Sequence, residues 1–412
     1  MRPSLPPFTP RPEGCETPLR DMRIVDFSHF IAGPYATMVL ADMGAEVIKI
    51  ESAGEGDGFR NYPPTIGDQG VPYLWVNRNK KSVALDLKKP EGRRIALELI
   101  AKADVVVENF STGVMERLGL GYASVSRDNP GLIYCSVSSF GRSGAFADRI
   151  GFDPIVQAES GFISMNGDPA LQPGYRAGPS IMDIATAMMS ANAIQAAYIA
   201  RQRTGRGQRV ETTMIETAIN MLGNFSLSYL ATGISPTRFG NTQATAAPVG
   251  AFETATGSIY LACANDRTFQ RFAREVLKDV AMADNPAYAD SAKRREHQKQ
   301  LIAEVARQLK QQDRETWLPR MHAAGVPGGA IRTVGEALES PEIRELGLVS
   351  EIPHPTLGSI PNVGLPIHFS ETPLADPKAA PVLGADTADL LRDLLGYGEA
   401  QLASLEAGKV FG

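Results

Sequence analysis

The sequence predicts an α/β protein, with a mostly parallel sheet covered by helices and a second, smaller domain in its later half. Three observations carry this. Short β-branched apolar runs alternate with helical stretches through the first half, the pattern of βαβ units. The texture changes after about Gly223, where a small-residue stretch precedes a run of charged helical segments. And 412 residues exceed what one ordinary compact core uses.

Taken in order, Arg23-Ile24-Val25-Asp26-Phe27 reads as a strand, Gly33-Pro34 opens a helix with Pro near its first position, and Glu46-Val47-Ile48-Lys49-Ile50 reads as the next strand. A helix from about Pro90 to Lys102 and strands at Val105–Val107 and Leu132–Val137 continue the alternation, which implies a parallel sheet. Ile181 to Ala200 is apolar nearly all round and predicts a buried helix; it stops at Thr204-Gly205-Arg206-Gly207, before the strand-like Arg209–Thr212. Beyond it come the small residues Gly240 to Ala247, a hairpin around Thr256-Gly257, and charged helices between Phe269 and Leu318. The Pro-rich tail from Pro353 is expected to run back across the first domain before a last helix near Asp386 to Leu395. The predicted boundaries are 1–222 for the first part of the large domain, 223–335 for linker and small domain, and 336–412 for the return segment.

Composition excludes several classes. With 43% hydrophobic and 21% charged residues the chain is of ordinary soluble α/β type, and a net charge of −5 supplies no general field for nucleic acid. Cys15, Cys135 and Cys263 form no CxxC pair, which argues against a zinc ribbon or disulfide framework and fits a reducing cytoplasm. The Pro-rich start lacks a signal-peptide core and no run reaches about 18 apolar residues, so neither a membrane partner nor export is expected. Gly-x-Ser-x-Gly, Walker and His-Glu-x-x-His motifs are absent, as is the dinucleotide glycine fingerprint.

Four features remain as candidates. Ser180-Ile181-Met182-Asp183 is a Ser-x-x-Asp capping pattern, and Asp183 is equally a carboxylate flanked by apolar residues that would desolvate and activate it. His29 follows the first strand, where parallel sheets place ligands, although a packed structural histidine accounts for it too. Glu51, at the end of the second strand, stands where a ribose-reading acid would. Between Arg78 and Arg117 nine basic residues face six acidic ones, an island suited to the phosphates of a nucleotide-like ligand or to a solvated helix face.

An ordered set of segments resembles the class III CoA-transferase family, which includes carnitine and formyl-CoA transferases and α-methylacyl-CoA racemases. They are Asp26-Phe27-Ser28-His29 with Ala32-Gly33-Pro34, Gly44 to Glu51, Asn77 to Ser82, Val107 to Phe110, Gly151-Phe152-Asp153, Asp183 and Thr204 to Gln208. Ala324 to Pro327, His354 to Gly358 and Leu383 to Thr387 follow. The resemblance implies a Rossmann-like large domain built from both chain ends, a small inserted α+β domain, and an interlocked homodimer. It also implies CoA and acyl-CoA as substrates with no permanently bound cofactor and no metal, and Asp183 as covalent nucleophile in transfer of CoA to a carboxylic acid. CoA-binding positions carried over from the family are His29, Ala32, Leu85, Asp86, Leu87, Lys88, Asn109, Phe110, Ser111 and Arg117. Ile31, Ser52 and Ser138 stand where formyl-CoA-type members carry Gln, Arg and Lys, and Gly240 to Ala247 is rich in Thr and Ala where some members have a glycine-rich lid. A racemase would carry histidine where this chain has Phe152, and a CoA-binding protein without chemistry is the third reading.

Overall fold

A computed structural model of the chain describes residues 4–411 except 13 and 244. The described residues form two compact units, one from Met1–Ser160, Gly178–Ser226 and Glu342–Gly412, the other from Gly161–Ala177 and Leu227–Pro341. Residues 161–177, which the sequence reading gives to the large domain, group with the second unit.

The first unit holds six parallel strands: β1 (Arg23–Asp26), β2 (Glu46–Ser52), β3 (Lys80–Leu85), β4 (Val105–Glu108), β5 (Ile133–Ser138) and β6 (Arg209–Thr213). Their spatial order is 3-2-1-4-5-6, so the chain steps outward from β1 in one direction, returns, and steps outward in the other. Helices α1 (Ala32–Asp42), α2 (Pro90–Ala101), α3 (Asp153–Glu159), α4 (Ile181–Thr204) and α5 (Met214–Met221) complete the part that concerns the site.

Alternate strand residues feed two apolar layers, as period-2 geometry requires. Val25, Ile48, Val83 and Val106 pack with Ile95 and Leu99 of α2 and with Leu390, Leu391 and Leu402 of the return segment. Ile24, Val47, Val105 and Ile133 pack on the other face with α1 and with Ala187, Ala191 and Ile194 of α4. A sheet buried on both faces explains why these strands read as near-continuous apolar runs.

The outer edge of β3 would expose unpaired backbone groups. The return segment covers it. The Ser82 N–H donates to Asp386 Oδ2 at 2.8 Å, the Ala84 N–H to Thr387 Oγ1 at 3.1 Å, and the Asp86 N–H to the Val410 carbonyl at 2.8 Å. The helix expected near its end spans Thr387–Asp393.

One expectation is corrected. The helix at 181–204 is not buried all round in the single chain, because Met188, Met189 and Ile199 are 47%, 50% and 61% exposed. The side facing α1 is sealed by small residues, and the opposite flank has no cover among the described residues.

The second unit contains an antiparallel sheet of Gly328–Ala330, Ser258–Ala262 and Val249–Glu253, with the hairpin at Thr256-Gly257. Phe252, Ile259, Leu261, Phe269, Phe272 and Trp317 form its core. Arg294, 1% exposed, donates to the Ala247 carbonyl at 2.9 Å and to Asp266 Oδ1 at 2.8 Å, pinning the end of the 240–247 stretch. Ala244 of that stretch lies outside the described residues.

Candidate active site at the carboxyl edge of the sheet

Helices that connect parallel strands run opposite to them, so α1 and α4, which pack side by side, both begin at the carboxyl edge. In an open parallel sheet ligands settle at that edge where the strand order reverses, here between β1 and β4. His29 and Ala32 follow β1, Asn109 to Ser111 follow β4, and Leu85 ends β3 with Asp86 to Lys88 after it. Asp183 lies in the first turn of α4.

The loop after β1 is built tightly. A Cβ on Gly33 would lie 2.2 Å from Ser28 Cβ, so only glycine lets the first turn of α1 press on the loop. Phe30 takes a φ of 64°, a costly conformation for a bulky residue, and its ring sits edge-on against Phe59. Asn109 holds this loop from the neighbouring strand. Its Oδ1 accepts from the His29 N–H at 2.9 Å and its Nδ2 donates to the His29 carbonyl at 2.8 Å. The Asn109 amide is therefore largely occupied by the loop. Phe110 packs its ring against His29 at 5.2 Å, while Ser111 is exposed.

Beneath the loop lies a buried polar network. Asp26 Oδ2 accepts from Lys80 Nζ at 3.0 Å and from Thr37 Oγ1 at 2.6 Å, and Lys49 Nζ meets Asp57 Oδ2 at 2.9 Å and donates to the Ser28 carbonyl at 2.7 Å. Burial alone would raise the Asp26 carboxyl, but Lys80, Lys49 and two hydroxyls hold it well below the usual range. Burial and the Lys49 ammonium push the His29 imidazole down against the pull of Asp57, which leaves it neutral at pH 7.

Glu51 is not a ribose reader in this fold. Arg60 donates Nε to its Oε1 at 2.8 Å and Nη2 to its Oε2 at 2.6 Å, and Ser82 Oγ donates at 2.7 Å. With both oxygens committed, the carboxylate is a structural clamp.

Most of the basic island is also committed. Arg78 is paired with Asp42, Lys80 with Asp26, Lys81 with Glu46 and Arg94 with Glu98. Arg93 donates to the Leu87 and Lys88 carbonyls, shaping the loop after β3, and Lys89 donates to the Gly408 and Lys409 carbonyls. Lys102 ends α2 at the opposite edge of the sheet. That leaves Lys88 and Arg117, both exposed and without an ion pair among the described residues, as cations at the carboxyl edge. Asp86 accepts from the Lys88 N–H at 2.9 Å and turns the loop. Leu87 is half-buried against the core. Leu85 is wholly buried, so of the carried-over positions it can offer a ligand only its backbone.

At α4 the capping pattern read from the sequence is not what forms. Ser180 makes no side-chain cap bond. Asp153, at the start of α3 and 3% exposed, reaches across instead: its Oδ2 accepts from the Met182 N–H at 2.7 Å and the Asp183 N–H at 3.3 Å. A Cβ on Gly151 would lie 2.6 Å from Ser139 Cβ, so glycine is needed for the chain to deliver Asp153 there. Phe152 between them is 60% exposed. The Asp183 carboxylate accepts no hydrogen bond among the described residues. Burial first, and the adjacent Asp153 second, push it up to about 7. Sequence reading noted the Gly151-Phe152-Asp153 motif but gave Asp153 no role, because its partner is 30 residues away. Among the described residues no group of three or more His, Cys, Asp or Glu is arranged to hold a metal, and no helix is long and apolar enough to cross a membrane.

A desolvated, unpaired carboxylate at this edge is a candidate oxygen nucleophile. Comparison with known proteins identifies the family. The model of CoA-transferase family III matches residues 19–387. Human succinyl-CoA:glutarate CoA-transferase is 33% identical over 393 residues, 94% of this chain and 88% of its own. The succinate–glutarate CoA-transferase of Agrobacterium fabrum is 35% identical over 384 residues, 92% of this chain and 96% of its own. The crystal structure of a CAIB/BAIF family protein from Brucella suis superposes with a TM-score of 0.84 at 33% identity, covering 92% of this chain and all of that one. The continuous parallel sheet, the freed acid at its carboxyl edge and matches along nearly the whole length have one reading: this chain is a family III CoA-transferase.

Proposed function

We propose that the enzyme moves CoA from an acyl-CoA donor to a free carboxylic acid through a covalent relay on Asp183. The observation that carries the reading is the unbonded, desolvated carboxylate of Asp183 in the first turn of α4. An Asp183 oxygen attacks the thioester carbonyl and CoA thiolate leaves, giving a mixed anhydride. The thiolate then attacks Asp183 Cγ, releasing the donor acid as carboxylate and leaving an aspartyl-CoA thioester. The acceptor carboxylate attacks Cγ, thiolate leaves again, and its attack on the acceptor's acyl carbon forms the new thioester and restores Asp183. No proton or electron is gained or lost overall, so the cycle calls for no permanent cofactor.

CoA lies along the carboxyl edge of a Rossmann-like sheet. Lys88 and Arg117 take its phosphates, and the His29–Ala32 loop and Asn109–Ser111 line its path. The boundaries 1–222, 223–335 and 336–412 describe the domains, except that 161–177 belongs with the small one. Homodimer formation covers the open flank of α4, where Met188, Met189 and Ile199 are exposed. Transfer is favoured over racemisation because the position before Asp153 is Phe152, which offers no second proton-transfer group.

By analogy with the named relatives the first pair to test is succinyl-CoA with glutarate, followed by other donors and acids. Expected is a new acyl-CoA detected by mass spectrometry with wild type and none above background with Asp183→Asn. Loss of α-deuterium from a branched acyl-CoA with no exchange between acids would favour the racemase instead, and saturable CoA binding with neither reaction would leave a binding protein.

A further inference from the structure

Resting on the reading of Asp183 as nucleophile, we propose that Asp153 is a positioning residue that occupies the helix N-terminus so that the Asp183 carboxylate stays unbonded and aimed outward. The free N–H groups in the first turn of a helix bind a nearby carboxylate, and such a bond both hides its lone pairs and steadies its charge. Here the donors of Met182 and Asp183 are already taken by Asp153 Oδ2 at 2.7 and 3.3 Å. The other Asp153 oxygen is held by Gln157 Nε2, one turn along α3, and the residue is 3% exposed, so the cap is built into the fold. The consequence is a division of labour between two acids on one helix end. One is fixed and satisfies the backbone; the second is desolvated, faces its neighbour's negative charge and is free to attack.

Other charges do not compete for this role. Of the elements packed on α4, α1 carries only Asp42, at its far end and paired with Arg78, and β5 carries none. In β6 Arg209 and Glu211 pair with each other, in α5 Glu216 accepts from the Thr213 hydroxyl, and in α3 Glu159 pairs with Arg149. Among the described residues Asp153 is the one charged group that acts on Asp183.

The test uses Asp153→Asn, whose amide oxygen still accepts the two N–H groups but carries no charge, and Asp153→Ala, which removes the cap. Labelling of Asp183 by a water-soluble carbodiimide with glycinamide, followed by peptide mass mapping across pH, reads its protonation without substrate. In the wild type the labelling midpoint is expected near 7. Asp153→Asn should lower it, since a like charge has gone, and Asp153→Ala should lower it further, since the freed Met182 and Asp183 N–H groups can then bond the Asp183 carboxylate. An Asp153→Ala midpoint no lower than that of Asp153→Asn would overturn the proposal. In the succinyl-CoA and glutarate assay Asp153→Ala should cut kcat by about tenfold or more with KM for succinyl-CoA within about threefold, because orientation is lost while binding is kept; wild-type kcat would overturn it. Asp183→Asn separates the two claims. If that variant still transfers CoA, the nucleophile reading fails, whereas an inactive Asp183→Asn beside unaffected Asp153 variants sinks only the role of Asp153.

Discussion

Asp183 illustrates what a reactive group costs the fold. An aspartate titrates near 4 in an unfolded chain, and here burial and Asp153 push it up to about 7. Folding therefore favours the protonated acid. The destabilisation is absent below about pH 4, grows as pH rises, and is complete above about pH 7. Asp183→Asn, neutral at every pH and of the same shape, should accordingly raise stability by on the order of 2–4 kcal/mol at pH 8, with the gain vanishing near pH 4. Denaturant unfolding of both proteins at the two pH values checks this; equal stability at pH 8 would mean the carboxylate is solvated or paired. Transfer itself needs the ionised form, so kcat/KM should climb through the same range.

At the scale of elements, the site depends on neighbouring strand ends being held in register with one another. Asn109, at the end of β4, grips the His29 peptide through two hydrogen bonds and keeps the loop after β1 in a conformation that includes a left-handed Phe30. Asn109→Ala leaves that peptide unpaired and the strained loop free to relax, at a stability cost of about 1–3 kcal/mol. The expected kinetic result is a rise of about tenfold or more in KM for the acyl-CoA with a smaller change in kcat, read from initial rates.

Much of the fold was legible at this level. The strands announce themselves by β-branched apolar runs because both faces of the sheet are buried, and the helix at 181–204 by its length and its two-glycine stop. Asp183, His29 and Arg117 were visible as candidates. Asp153, the Asn109 clamp and the pairing of Glu51 with Arg60 were not, because each joins residues 9 to 80 positions apart through contacts that no local period records. Charge counting likewise could not tell that six of nine basic residues are committed to partners within the fold.

For the whole molecule, the exposed flank of α4 is the feature that a single chain leaves unexplained. Ile155 of α3, Met188, Met189 and Ile199 of α4 and Ile219 of α5 are all exposed, more apolar surface than one packed unit needs to show. Lysines at Met188 and Met189 should move the protein from dimer to monomer in sedimentation velocity, while the far-UV dichroism keeps its helical signal; a wild type that sediments as a monomer at micromolar concentration would contradict the homodimer. If a second copy covers this surface, that accounts for an apolar helix that the sequence predicts to be buried.

Covalent capture of Asp183 bears on the central claim most directly. Enzyme incubated with succinyl-CoA and no acceptor acid, then treated with hydroxylamine and digested, should yield the Asp183 peptide as its hydroxamate, with the yield falling when glutarate is supplied. Turnover with an unmodified Asp183 peptide, or a hydroxamate at a different residue, would contradict the relay.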